Sequence, residues 1–172
     1  MTRLILPFLG IVIFYSESIF ATFSPIQVYG DTRFLVPRFL FLFILLISVY
    51  YKPKSAYVYG FVFGFMYDLF FTGIIGIYMF LFPLLIYIAL GILKLIHQNI
   101  LVVAGLGVLL IAALEIVVYQ FNLLIGVAGI NFTTFVTQRL YSTLLFNLLF
   151  LLLLAYPFKA WMTKLRLAHL ED

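Results

Sequence analysis

The sequence predicts an all-α integral membrane protein, a compact bundle of six membrane-spanning helices with both termini in the cytoplasm. Three observations carry that prediction. The 172 residues are 66% hydrophobic, against roughly 45–50% in a soluble domain, and their mean hydropathy is +1.25. Only 9% are charged, too few to coat a soluble domain of this size, while Phe and Tyr supply 21 and 12 positions. The apolar residues fall into six stretches, and six spans of about 20 residues would leave about 50 for every loop and tail, so no extramembrane domain fits. Membrane strands fit poorly, because the runs are apolar at successive positions instead of alternating.

The first span is read as residues 4–23. Arg3 followed by an apolar run resembles a signal peptide, but Glu17 interrupts the run and no small-x-small cleavage site precedes a soluble domain. Pro25 and Gly30-Asp31 break the chain before the second span, 34–51, which ends at the Lys52-Pro53-Lys54 turn. The third and fourth spans, 56–71 and 74–93, meet at Thr72-Gly73 as a tight hairpin. A polar stretch from Lys94 to Asn99 precedes the fifth, 100–124, and a break over 126–138 precedes the sixth, 140–156. Residues 1–157 thus form the six-span domain and 158–172 a basic tail. Phe158, Trp161, Met162 and Leu165 recur there at helical spacing beside Lys159, Lys164 and Arg166, which predicts an interfacial cytoplasmic helix or a docking face for a cytoplasmic protein.

Orientation follows from the basic residues. Arg3, Lys52, Lys54, Lys94, Lys159, Lys164 and Arg166 fall on one side, and Arg33, Arg38 and Arg139 on the other; seven against three places both termini inside. The net charge of +4 is then a topology signal and calls for no nucleic-acid partner. Tyrosines near the predicted span ends, Tyr29, Tyr50 and Tyr119 among them, are read as headgroup anchors.

Charges inside spans cost roughly 2.5–3.5 kcal/mol each on insertion scales, so Glu17, Asp68 and Glu115 each need a local explanation. At about 1.5 Å per residue all three lie in the outer half of the bilayer, where Arg38 and Arg139 enter their spans from outside. The expectation is a polar cluster in which the two arginines neutralise two of the three acids and leave one over. That acid is protonated, faces an outward water-filled cavity, or is reserved for a cation or a partner's side chain. The cluster itself fixes helix order, receives a partner or ligand, or relays ions. Ala56, Gly60, Gly64 and Asp68 form a stripe at fourfold spacing on the third span, a surface for close packing by another helix, and Gly73 and Gly76 permit the bend that follows.

Catalytic signatures are missing. The chain has no cysteine and no G-x-S-x-G, H-E-x-x-H or G-x-x-x-x-G-K-[ST] motif, and His97 and His169 lie away from the acids. The expectation is a protein that is not an enzyme, with no metal and no cofactor.

The chain resembles the MreD family of small multispan rod shape-determining proteins. The likeness is carried by Glu17-Ser18 in the first span, Leu35-Val36-Pro37-Arg38-Phe39 opening the second, Gly60-Phe61-x-x-Gly64-x-x-x-Asp68 in the third, Gly76-x-Tyr78 in the fourth and Arg139 at the last. The fifth span, with Glu115, has no local signature. The resemblance implies a non-enzymatic scaffold in the bacterial cytoplasmic membrane, working in lateral wall elongation with bitopic MreC, actin-like MreB, RodA and a class B penicillin-binding synthase. It makes the stripe and the charged cluster candidate partner surfaces and the tail a candidate cytoplasmic contact. It also implies a fold similar to the substrate-capture subunits of energy-coupling factor transporters. The alternative function is therefore capture of a small molecule such as a vitamin, although the first span offers Gly10 and no small-xxx-small pair for docking an ATPase module.

Overall fold

The structure, a computed structural model, describes residues 5–28, 31–96, 99–127 and 129–168. Arg3, Tyr29, Gly30, His97 and His169 lie outside the described residues. Among the described residues six helices build the fold. Helix α1 is Ile5–Thr22, α2 Phe39–Tyr50, α3 Pro53–Tyr67, α4 Ile77–Leu95 and α5 Ile100–Leu124. The sixth, α6, joins Phe132–Thr134, Phe135–Leu140 and Tyr141–Ala168 without a break. Two segments are π-helical: Asp68–Thr72, which continues α3, and Phe135–Leu140 within α6. Between α1 and α2, where only a break was expected, strands β1 (Ile26–Val28) and β2 (Asp31–Arg33) pair antiparallel, with Ile26 opposite Arg33 and Val28 opposite Asp31.

By length and composition α1, α4, α5 and α6 can each cross a membrane, whereas α2 is a shorter apolar helix. At about 1.5 Å per residue, twelve residues reach about 18 Å, well short of a hydrocarbon core of about 30 Å. The second span was expected from residue 34, yet helix begins only at Phe39. Pro37 pushes Val36 out of the α region, and the chain stays non-helical over 34–38.

The sequence of α2, FLFLFILLISVY, has no polar face, and a helix of that kind must be enclosed on all sides. It is: every residue but Val49 is buried, and α1, α3, α4 and α6 surround it. The small-residue stripe of α3 is taken up against α4. A Cβ on Gly60 would stand 3.3 Å from the Pro83 nitrogen, and one on Gly64 would stand 2.5 Å from the Tyr78 carbonyl oxygen. Ala56 is fully buried on the same face. Gly73 (φ 66°) and Gly76 (φ 117°) make the turn into α4 in a backbone region that side chains rarely adopt.

One expectation near the end of the chain is corrected. The break over 126–138 is shorter than expected, because Asn131 caps a helix start at Phe132 by accepting the Thr134 N–H at 2.8 Å. Residues 158–168 continue α6 through Pro157. Their apolar face packs on the protein itself. Met162 is fully buried, Phe158 lies 5.8 Å from Phe43 between ring centroids, and Lys159 Nζ stands 5.3 Å from the Tyr50 ring centroid. Trp161 is half-buried, and Lys164 and Arg166 remain exposed. Tyr50 and Tyr119 are buried instead of facing headgroups; Tyr119 stacks on Phe135 at 4.2 Å and donates to the Ile130 carbonyl at 3.0 Å.

Candidate functional site

Chain direction alternates from helix to helix, so the C-terminal parts of α1, α3 and α5 share one end of the bundle with the starts of α2, α4 and α6. That end collects all five charges singled out in the sequence. Its frame is the non-helical segment before α2, residues 34–38. Non-helical backbone inside a membrane protein must find hydrogen-bond partners within the protein, and here each N–H from Phe34 to Arg38 has one. Phe34 donates to the Gln138 carbonyl at 2.9 Å, Leu35 to Ser24 Oγ at 3.0 Å, Val36 to Thr143 Oγ1 at 3.3 Å and Arg38 to Asn147 Oδ1 at 2.8 Å, while Pro37 has no N–H to place. Asn147 Nδ2 donates in turn to the Val36 carbonyl at 2.9 Å. Sequence reasoning missed Asn147, although a lone amide in the apolar run 140–156 is a readable signal.

Glu17, from α1, reaches the start of α2. Its Oε1 accepts the Leu40 N–H at 2.7 Å and its Oε2 accepts the Tyr67 hydroxyl. Asp68 does the same for α4, accepting the N–H groups of Gly76 at 2.8 Å, Tyr78 at 2.9 Å and Met79 at 3.1 Å. A helix leaves its first four N–H groups without internal partners and concentrates positive potential there, so a buried carboxylate at each start satisfies both.

Both arginines hold the third acid. Arg38 donates through Nε to Glu115 Oε1 at 2.7 Å, and its Nη2 lies 2.5 Å from the same oxygen. Nη2 also donates to the Tyr78 hydroxyl at 2.9 Å, and the guanidinium carbon lies 5.6 and 5.1 Å from the Tyr67 and Tyr78 ring centroids. Arg139 Nε meets Glu115 Oε2 at 3.1 Å. The expected pairing of two arginines with two acids is therefore corrected: both serve Glu115, and none of the three acids is left over. Side-chain charges alone give three negative and two positive, a sum of −1. Two helix starts worth roughly +0.5 each bring the buried cluster close to neutrality.

The cluster is graded in depth. Glu17, Arg38, Asp68 and Glu115 are buried, whereas the Arg139 side chain is 34% exposed. A cavity of about 370 Å³ touches Glu17, Arg38, Tyr67, Tyr78 and Arg139, and a second of about 270 Å³ lies between Glu115, Tyr119, Asn122 and Arg139. Each π-helical segment places one charge, Asp68 or Arg139, a use of such turns that recurs at functional sites. Among the described residues no three His, Asp or Glu side chains are grouped to hold a metal ion. The carboxylates are committed to arginines, a tyrosine and backbone N–H groups, an arrangement suited to locking helices and presenting Arg139 at the rim.

A family model described as rod shape-determining protein MreD matches residues 2–165. The rod shape-determining protein MreD of Bacillus subtilis (strain 168) is 37% identical over 166 residues, covering 96% of this chain and 96% of that protein. No solved structure matches the chain.

Proposed function

The chain belongs to the MreD family of rod shape-determining proteins, and from that premise we propose that it is a non-enzymatic membrane scaffold of the bacterial complex that elongates the lateral cell wall. The observation that carries the reading is the cluster itself: its buried charges are spent on joining helices to one another. Such a bundle acts through its helix faces, short connections and terminal helix. In this reading it sits in the cytoplasmic membrane with both termini inside and joins an MreC-like bitopic protein to MreB-like, RodA-like and class B penicillin-binding partners. Glu17, Arg38, Glu115, Asp68 and the Ala56, Gly60 and Gly64 stripe shape the partner-facing surface from within. Arg139 at the outer rim, and Lys159, Trp161, Lys164 and Arg166 on the terminal helix, are the contacts.

Purification from the native host in mild detergent, followed by mass spectrometry of bound proteins and small molecules, tests the proposal. The expected result is recovery of MreC-like and wall-synthase partners without a stoichiometric small molecule. Recovery of a vitamin-sized ligand with an ATPase pair would refute the scaffold and support a substrate-capture subunit, for which the cavity of about 370 Å³ beside Arg38 and Arg139 would be the pocket.

A further inference from the structure

The opposite end of the bundle holds a larger cavity, of about 570 Å³, where the end of α2, the start of α3, the end of α4 and the last turns of α6 converge. Lys94 and Arg166 line it, together with Tyr51, Tyr57 and Tyr87, and among the described residues no carboxylate does. Among the described residues the ion pairs join Arg33 to Asp31 and Arg38 and Arg139 to Glu115, all at the other end. Two cations thus face a cavity with no described acid to neutralise them. The start of α3 adds to the positive potential, since Pro53 occupies its first turn and Lys52 makes no side-chain cap.

One wall is apolar and open. Gly91 lies inside α4, where glycine costs about 1 kcal/mol relative to alanine, yet a Cβ there would meet nothing within 4 Å. Close packing does not account for this glycine; what its missing side chain leaves is room in the cavity wall. One turn earlier Tyr87 is 68% exposed, and Leu84, Ile88 and Leu95 extend the exposed apolar surface of α4 alongside. Cations and amphipathic rings at the ends of spans, opening sideways onto an apolar helix face, match a phosphodiester with acyl chains attached. A free phosphate would have no use for the apolar wall.

We infer that this cavity is a binding site for an anionic phospholipid, with Lys94 and Arg166 on the phosphate and the gap at Gly91 taking the start of an acyl chain. The site is separate from the charged cluster and shares Arg166 alone with the partner contacts proposed above.

The test is native mass spectrometry of the full-length chain offered phosphatidylglycerol and phosphatidylcholine in equal amounts. Phosphatidylglycerol should be retained preferentially, and K94Q/R166Q should weaken that retention about thirtyfold, as expected for removing two interfacial cations. G91L should block retention without removing a charge, K94R should preserve it, and K159Q/K164Q, two cations of α6 that do not line the cavity, should leave it unchanged. If K94Q/R166Q fails to fold, judged by elution profile and helical circular dichroism, the contrast between K94R and G91L decides. Equal retention of the two lipids, or undiminished retention in K94Q/R166Q or G91L, would overturn the assignment. Displacement of the lipid by millimolar inorganic phosphate as readily as by phosphatidylglycerol would overturn it too, by making the ligand a free phosphate.

Discussion

Removing the Asp68 carboxylate separates its local role from any role as a charge offered to a partner. The side chain is fully buried and accepts three backbone N–H groups, Oδ2 from Gly76 and Met79 and Oδ1 from Tyr78. In Asp68→Asn the amide carbonyl can take the Oδ2 position and keep two of these bonds, while its NH2 group then faces the Tyr78 N–H, donor against donor. One charge-assisted bond is lost and one buried N–H is orphaned, a cost of about 2–3 kcal/mol, with up to about 1 kcal/mol more for the charge at the start of α4. Asp68→Ala loses all three bonds and should cost about 5–8 kcal/mol on the same scale. Reversible unfolding in detergent, with hydrogen exchange read at residues 74–79, measures both. The expected order is wild type, then Asn, then Ala, with protection at Tyr78 lost first, while membrane insertion persists in both variants. Equal stabilities for Asn and Ala, or values within about 0.5 kcal/mol of wild type for both, would refute the capping account.

Other outcomes follow from the same geometry. Arg38→Gln should destabilise by about 3–5 kcal/mol because it unbalances a fully buried pair, whereas Arg139→Gln, at a partly exposed site, should cost about 1 kcal/mol or less; chemical unfolding of the two variants checks the ranking. Gly64→Ala should destabilise by about 1–3 kcal/mol, since its Cβ would press on the Tyr78 backbone, while Gly105→Ala, with nothing within 4 Å, should stabilise by up to about 1 kcal/mol; thermal unfolding of the pair should give shifts of opposite sign.

The sequence by itself determined that the chain lives in a membrane, because 66% apolar residues and 9% charged ones cannot make a surface for water. It also determined where the charges gather. Glu17, Asp68 and Glu115 lie late in α1, α3 and α5, Arg38 and Arg139 lie at the starts of α2 and α6, and alternating chain direction brings those positions to one end. Pro37 and the apolar circumference of α2 are readable signals for its late start and central place, although the second span was expected from residue 34. What only the tertiary structure decided was who holds whom. Counting side-chain charges suggested two arginine–acid pairs and one spare acid, whereas both arginines bind Glu115 and the other acids bind the starts of α2 and α4. The packing of the terminal helix was illegible for a related reason: Phe158 looks the same in sequence whether it meets lipid or Phe43. The donors that satisfy Glu17 and Asp68 are main-chain N–H groups, which nearly every residue carries and no letter of the sequence distinguishes. They become binding groups only where a helix begins, and a helix start reaches a given carboxylate only after the chain has packed.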